Sequence, residues 1–566
     1  MEKYDAIVVG SGISGGWAAK ELCENGLKTL VLERGRMVKH VEDYPTMNLD
    51  NWDVKHGGAT PKKILNKHYD KQKRWGVNEF NRHFYNTDSE HNYEEIKTFD
   101  WIRGKQVGGR SLIWGRQTYR WSDLDFEANA KDGYGVDWPI RYKDLAPWYS
   151  HVEKFIGVSG ERLNISHLPD SEFLKPMELN CVEKHLRKSL KKNYKDGRLL
   201  TVGRVAHITE GRKAGAGRAS CQYRNRCSRG CPFGAYFSSV SSTLPAAEST
   251  RNLTLIANSI VAEVLYDKER KRATGVRVID AITKEEKVYN SKIIFLCASA
   301  VASATILMQS KSDSFPNGMG NSSGELGHNI MDHQLGAGVS GSIDGYTDRY
   351  YIGRRPNGIY IPRFRNVNKK SEKVNFLRGY GYQGGASRSS GSNWTNAVAE
   401  YLPYGKEFKE EILNPGGWTF GMGGFGEVLP YHENHFFLNY DNLDQYGLPT
   451  IVFDAEFKEN EKLMKKDWLI QGQEMLEASG FKNIKVYDGK APIGRGIHEM
   501  GTARMGRDSK TSVLNKNNQL HEVSNVFVTD GACMTSAANQ NPSLTYMALT
   551  ARAANFAVGE LKKQNI

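Results

Sequence analysis

Three groups of residues in this chain of 566 have types and spacings that could do chemistry. The first is Gly10-x-Gly12-x-x-Gly15, which follows a short apolar run and leads into a helix-compatible stretch ending near Gly26. Gly10 permits a tight turn, Gly12 lets backbone approach a pyrophosphate, and Gly15 lets helix and strand pack closely. The amino terminus of the helix offers free N–H groups and a partial positive charge to phosphates. A second strand, Thr29 to Leu32, closes a βαβ unit, and Glu33 stands at its end, about 20 residues on, where a carboxylate accepts hydrogen bonds from ribose hydroxyls. Strand, glycines, helix, strand and acid in that order indicate a dinucleotide site, without separating FAD from NAD.

The second group is Cys221-x5-Cys227-x3-Cys231-Pro232, three soft thiols in one short loop rich in Arg and Gly. Such a set suits an iron–sulfur cluster or zinc. Zinc would need a fourth ligand, such as His207 or Cys181; a structural loop with an incidental disulfide is the third reading. The chain has seven cysteines, an odd number that argues against a disulfide framework. The third group is histidines. His498-Glu499 is not half of a zinc-binding HExxH, because Thr502 stands where the second His would be. His432 and His435, in YHENHFF, could pair on a metal, but alternation along a strand accounts for them better.

These residues must be positioned by a chain longer than one hydrophobic core can serve, so two domains or one domain with large insertions is expected. With 39% hydrophobic and 25% charged residues the composition is that of a globular protein. The apolar run Ile293 to Met308 is too short to span a bilayer comfortably and is broken by Ser299, Ser303 and Thr305. A buried strand turning into a helix accounts for it. The amino terminus MEKYDAIVVG has no basic n-region or cleavable apolar segment, so export by a signal of its own is not expected. The net charge of +13 comes from 77 basic and 64 acidic residues, densest at Lys184 to Lys195, which reads as a solvated helix face. An acidic redox partner or an anionic membrane surface is the other reading of that charge. No recognition motif accompanies it, so nucleic acid is not an expected partner.

Four further segments resemble the glucose-methanol-choline (GMC) oxidoreductases from end to end. Gly104 to Gly115 (GKQVGGRSLIWG), with Gly108, Gly109 and Ser111, is similar to the family's second glycine-rich flavin loop; Trp114 stands where many members have Asn. Gly327 to His333 (GHNIMDH) is similar to a segment that closes the FAD-binding half. His498 to Gly506 (HEMGTARMG) resembles the motif of the active-site histidine, and Asp530-Gly531 with Asn541-Pro542 and Thr545 resembles the terminal segment along the flavin. Within the family the likeness is greatest to the large subunits of gluconate, fructose and FAD-type glucose dehydrogenases and to glycoside 3-dehydrogenases. It is carried by Gly426-Glu427-x-x-Pro430 with Asn434, by Gly447-Leu448-Pro449, and by the cysteines.

The resemblance implies an α/β fold: an FAD-binding Rossmann-like domain from residues 1–45, 101–335 and 486–566, a lid or insertion at 46–100, and a discontinuous α+β substrate domain at 336–485. The last is built on an antiparallel sheet with strands such as GIYIPRFRNV and HENHFFLN. It implies FAD held noncovalently, since the second loop lacks a histidine for covalent attachment. Removal of a hydride from a carbinol calls for a base at the hydroxyl; by resemblance that base is His498, with Asn541 bonding the substrate oxygen. It also implies a [3Fe–4S] cluster on Cys221, Cys227 and Cys231, a small subunit that carries an export signal, a cytochrome c-type acceptor, and a periplasmic location reached by co-export; a cytoplasmic enzyme would show the same amino terminus. The substrate implied is a sugar, sugar acid or glycoside, with an oxygen-using oxidase or a sterol or simple alcohol enzyme as the alternatives.

Overall fold

The computed structural model describes residues 3–211, 217–349, 358–369, 371, 374–388, 404–413 and 416–566. Of the expected substrate segment, residues 350–357 and 389–403 therefore lie outside the described residues.

The first strand, Tyr4–Val9, lies between Thr29–Leu32 and Glu286–Leu296 and is parallel to both. Leu253–Ile256 extends this sheet beyond Thr29–Leu32, and Val526–Val528 extends it beyond Glu286–Leu296. Parallel strands covered on both faces must be apolar throughout, which is why AIVV, LVL, IIFL and VFV are unbroken runs. Helices Ile13–Glu24 and Ser543–Lys562 pack together over this sheet. Glu286–Leu296 is eleven residues long, and its halves do different work. Glu286–Asn290 pairs antiparallel with Arg272–Asp280 in a meander that continues to Ser259–Asp267, while Ser291–Leu296 enters the parallel sheet. Helix Ala300–Gln309 follows at once, so Ile293 to Met308 is a buried strand turning into a helix.

The second large sheet is antiparallel. Trp418–Glu427 lies at its centre between Ala337–Ile343 and Tyr380–Arg388, with Lys482–Asp488 beyond the first and Ile359–Ile361, then Thr201–Val202, beyond the second. Helix Glu459–Glu477 covers one face. Gly424 and Gly426 admit the buried indole of Trp468, and a Cβ at Gly424 would lie 2.4 Å from that ring. The expected strand GIYIPRFRNV stops at Ile361, because Pro362 has no N–H to give the ladder and the Arg363 side chain turns onto the Arg365 and Asn366 carbonyls. HENHFFLN belongs to neither large sheet: His435–Leu443 pairs with Pro449–Asp454, which is parallel to Glu94–Glu95.

The expected division of the chain is crossed in two places. Val182, Leu186, Leu190, Leu200 and Val202 are buried with Tyr380, Tyr382 and Phe420 of the antiparallel lobe, although they precede residue 335. The helix that carries the first three, Cys181–Asn193, turns Lys184, Lys188, Lys191 and Lys192 to solvent, so the basic run is an amphipathic helix's outer face. Leu448, Pro449 and Thr450, from the other side of the division, line the cofactor cavity. Trp468→Ala should expose how far the second lobe depends on one indole. Loss of a buried tryptophan costs about 3–5 kcal/mol, so a clear fall in the melting midpoint is expected, and an unchanged midpoint would refute the assignment.

Candidate active site

A cavity of about 420 Å³ is lined by both glycine loops, Glu33, Asp530, His498 and Asn541. At one end Gly10 has φ +93°, and a Cβ there would lie 2.6 Å from the Cys297 carbonyl oxygen; a Cβ on Gly15 would lie 1.8 Å from the Gly10 oxygen. Gly12 instead opens on the cavity, with nothing within 4 Å of where its Cβ would be. Helix Ile13–Glu24 begins there with no side-chain cap and no acid in its first turn, so its first N–H groups are free for an anion. Glu33 is buried and accepts from Ser11 N (3.1 Å), Ser11 Oγ (2.6 Å) and Gly35 N (3.0 Å). Burial raises its pKa, against those hydrogen bonds.

Ser11 Oγ also accepts from Gly108 N at 3.0 Å, which ties the two glycine loops together. A Cβ on Gly109 would stand 3.4 Å from Gly12 Cα, so the loops touch where the cofactor must pass. Ser111 Oγ donates to the Gly108 carbonyl at 2.5 Å and accepts from Ser239 N at 3.1 Å, so it shapes the loop as well as lining the cavity. Asp530 accepts from Ala532 N, Ser299 N and Ser303 Oγ, and so holds Ser299 at φ +95°. Gly531 passes within reach of the Glu499 carbonyl, where a Cβ would stand 2.3 Å away. Pro542 and Thr545, expected along the flavin, do not line the cavity; Pro542 precedes helix Ser543–Lys562, and Thr545 Oγ1 meets Tyr149 Oη at 2.8 Å in the core. The lining includes buried polar atoms without a partner, among them His91 Nε2, Thr450 Oγ1 and Tyr546 Oη. A polar guest such as FAD offers donors and acceptors of the kind these atoms lack, which an apolar guest would not.

At the other end His498 meets a second histidine. His333 Nε2 lies 3.1 Å from the Ala538 carbonyl oxygen, and His333 Nδ1 lies 3.0 Å from His498 Nδ1. A carbonyl can only accept, so His333 carries its proton on Nε2 and its Nδ1 accepts from His498 Nδ1–H. That leaves His498 Nε2 with a free lone pair. Ile497, a β-branched residue at φ +53°, precedes His498 in strained backbone. The strain is held by buried Asp332, whose oxygens accept from Gly496 N at 2.8 Å and His498 N at 2.9 Å. Burial and the Glu499 carboxylate push Asp332 up to about 7. Burial, then His333 and Arg110, hold His498 well below the usual histidine value, and burial takes His333 to about 3. Both imidazoles are therefore neutral at physiological pH. Among the described residues, the ligand atoms of Asp332, His333 and His498 lie within 4.8 Å of one another, and hydrogen bonds account for that convergence.

Asn541 is oriented from the opposite lobe. Gln383, on strand Tyr380–Arg388, donates Nε2 to Asn541 Oδ1 at 2.7 Å and accepts from Gln117 Nε2 at 3.1 Å; Gln117 in turn accepts from Tyr119 Oη at 2.5 Å. With its oxygen occupied, Asn541 presents its NH2 group to the cavity. Asp332 and His333 lay inside the quoted motif GHNIMDH, but Gln117 and Gln383 have no motif around them.

The three cysteines are free and half-buried, and burial together with the other two thiols raises Cys221 to about 11. Buried Arg116 and Arg218 stand beside them and, among the described residues, have only carbonyl hydrogen-bond partners, Trp114 for the first and Phe155, Gly234 and Ala235 for the second. Arg116 works against the burial that raises Cys221, and among the described residues the three sulfurs are not among the sets of ligand atoms that lie within 4.8 Å of one another. His207 is buried with both ring nitrogens unpartnered, while Cys181 packs against the antiparallel lobe and is no fourth ligand. The loop lies close to the cavity: Tyr236 Oη donates to the Leu112 carbonyl, Arg116 lies over the Tyr236 ring, and cavity-lining Trp114 donates to the Phe237 carbonyl. His432 and His435 do not converge on a metal; both rings stack on His328, at 4.1 and 5.0 Å.

Two outcomes follow. A base whose pKa is depressed stays active as pH falls through 6.5, so the acid limb of kcat/KM should lie well below that ordinary histidine value. By the same sign, His333 and His498 contribute stability that is complete above about 6.5 and fades as pH falls toward the folded value. An acid limb at 6.5 or higher would contradict the buried, neutral pair. Gln383→Glu, which replaces a donor to Asn541 by an acceptor, should lower kcat/KM by roughly tenfold, the worth of one hydrogen bond; unchanged kinetics would remove Gln383 from the site.

The GMC oxidoreductase family matches in both of its parts, the amino-terminal over residues 4–335 and the carboxy-terminal over 435–550. The chain is 26% identical over 583 residues to the fructose dehydrogenase large subunit of Gluconobacter japonicus, covering 99% of this chain and 98% of that one. It is 26% identical over 580 residues to 2-methyl-1,2-propanediol dehydrogenase of Mycolicibacterium austroafricanum, covering 98% and 95%. A solved structure of Aspergillus oryzae RIB40 formate oxidase, studied for its FAD modification, shares the fold with a TM-score of 0.63 at 14% identity, over 99% of each chain. With both family segments matched and the two lobes meeting at a dinucleotide cavity, the chain belongs to the glucose-methanol-choline oxidoreductases.

Proposed function

We propose that this chain is an FAD-dependent dehydrogenase that oxidises a secondary or hemiacetal hydroxyl of a sugar, sugar acid or glycoside, the C3 hydroxyl of a glycoside included. The observation that carries the reading is His498 with a free Nε2 and Asn541 with a free NH2 facing one cavity that has the glycine loops and Glu33 at its far end. FAD, held noncovalently by the helix amino terminus, both glycine loops and Glu33, supplies the hydride acceptor when bound. His498 Nε2 takes the hydroxyl proton, and Asn541 Nδ2 donates to the same oxygen and limits the angles at which a carbinol can sit. His333 keeps His498 in the required tautomer.

A [3Fe–4S] cluster on Cys221, Cys227 and Cys231 supplies one-electron transfer when bound, and the carbonyl-bound Arg116 and Arg218 offset its thiolate charge. A cytochrome c-type protein is the proposed acceptor, with a small subunit that brings the chain to the periplasm. Among the described residues no helix is long and apolar enough to cross a membrane.

The test is anaerobic addition of fructose, gluconate or a methyl glucoside to the flavin-loaded protein. Bleaching of the oxidised-flavin absorption is expected with at least one, slowed about 10²-fold or more in His498→Ala. Cys227→Ser should keep that bleaching and lose the cluster's EPR signal and transfer to a cytochrome c. Peroxide formed in air at the rate of dye reduction would instead favour an oxidase, and bleaching only by simple alcohols would overturn the sugar reading.

A further inference from the structure

A second cavity, of about 340 Å³, lies between the 46–100 segment and the loop that leads to His498, and is lined by Arg74, Asp100, Gly489, Lys490, Ala491 and Arg495. Three cations there face one carboxylate. Asp100 is buried and meets each guanidinium through a single nitrogen: Arg74 Nη1 stands 3.2 and 3.3 Å from its two oxygens, and Arg495 Nη1 stands 3.2 Å from Oδ2. A guanidinium has five N–H donors in a planar fork, so most of the donors of both arginines are not spent on Asp100. Lys490 forms no ion pair within 4.0 Å among the described residues; its backbone N–H is bound to Asp488, whose carboxyl its charge also helps to lower. The Arg495 guanidinium is steadied over the Trp75 ring at 5.8 Å. Burial, with Arg74 nearby, disfavours its charged form, which a further anion would relieve.

We propose that Arg74, Lys490 and Arg495 form an anion-binding site that takes a small oxyanion, a phosphate or a carboxylate. Planar forks and an ammonium match the two or three oxygens of such a group. The occupant would join two segments that reach the main cavity: Trp75 and Trp101, the neighbours of Arg74 and Asp100, line it, and Arg495 comes three residues before His498. The anion is either free in solution or the acid group of the substrate itself. The site does not depend on the reading of the reaction.

Inorganic phosphate is the probe, added to the flavin-loaded protein at ionic strength held constant with chloride, so that general screening is unchanged. Binding to the native state alone raises the melting midpoint with phosphate concentration, here by on the order of 2 °C. The Arg74→Gln/Lys490→Gln double variant leaves Arg495 to pair with Asp100 and should lose the rise; Lys490→Gln alone should reduce it. No rise in the wild type, or an equal rise in both variants, would overturn the site. Because this readout needs no turnover, its failure is separate from failure of the sugar reading. A KM raised in the double variant for a sugar acid but not for the corresponding neutral sugar marks the anion as carried by the substrate; an unchanged KM with the phosphate response lost marks it as free.

Discussion

Everything at the histidine end of the cavity turns on one chain of hydrogen bonds, from the Ala538 carbonyl through His333 to His498. A carbonyl cannot donate, and that single asymmetry determines where two protons sit and which nitrogen is left to accept a third. The chain crosses the seam of the molecule. His333 is paired through its strand with Glu427 of the antiparallel sheet, whereas Ala538 and His498 come from the carboxy-terminal part of the cofactor half. His498 therefore has its Nε2 lone pair fixed only when the two lobes are assembled, and burial keeps the ring neutral once they are.

The second constraint is strain held by a buried carboxyl group. Ile497 sits in left-handed backbone and Asp332 accepts from the residues on either side of it. A β-branched residue pays for φ > 0 in steric crowding, and two hydrogen bonds to one buried carboxylate offset that cost. Ala538, at φ +55°, is the other residue of the relay in this region. Two strained residues around one imidazole pair are what is expected when geometry at a site is held by its surroundings rather than by local preference. Asn541 is handled in the same way, its amide turned by Gln383 from the opposite lobe.

The cofactor end is simpler because it is made of backbone. Gly10 and Gly15 are required by crowding against carbonyl oxygens, Gly12 by openness toward the cavity, and these are local matters of φ and of Cβ volume. Ser11 extends that local unit to the second glycine loop, so that both loops approach the same guest.

What the amino-acid sequence determined by itself is the part governed by near neighbours. The βαβ unit, its glycines and Glu33, and the strand-to-helix run at Ile293 to Met308 follow from spacing within about 30 residues, while His498 was marked by the resemblance of the contiguous segment HEMGTARMG to a family motif. Only the tertiary structure decided the rest. The pairing of His333 with His498 spans 165 positions, and that of Gln383 with Asn541 spans 158, and no periodicity encodes such contacts. The same holds for HENHFFLN, whose alternation marks a strand but not its partner; that is Pro449–Asp454, which in turn pairs with Glu94–Glu95. A strand's pattern specifies which face is apolar, and the sheet it joins depends on which distant surface can bury that face.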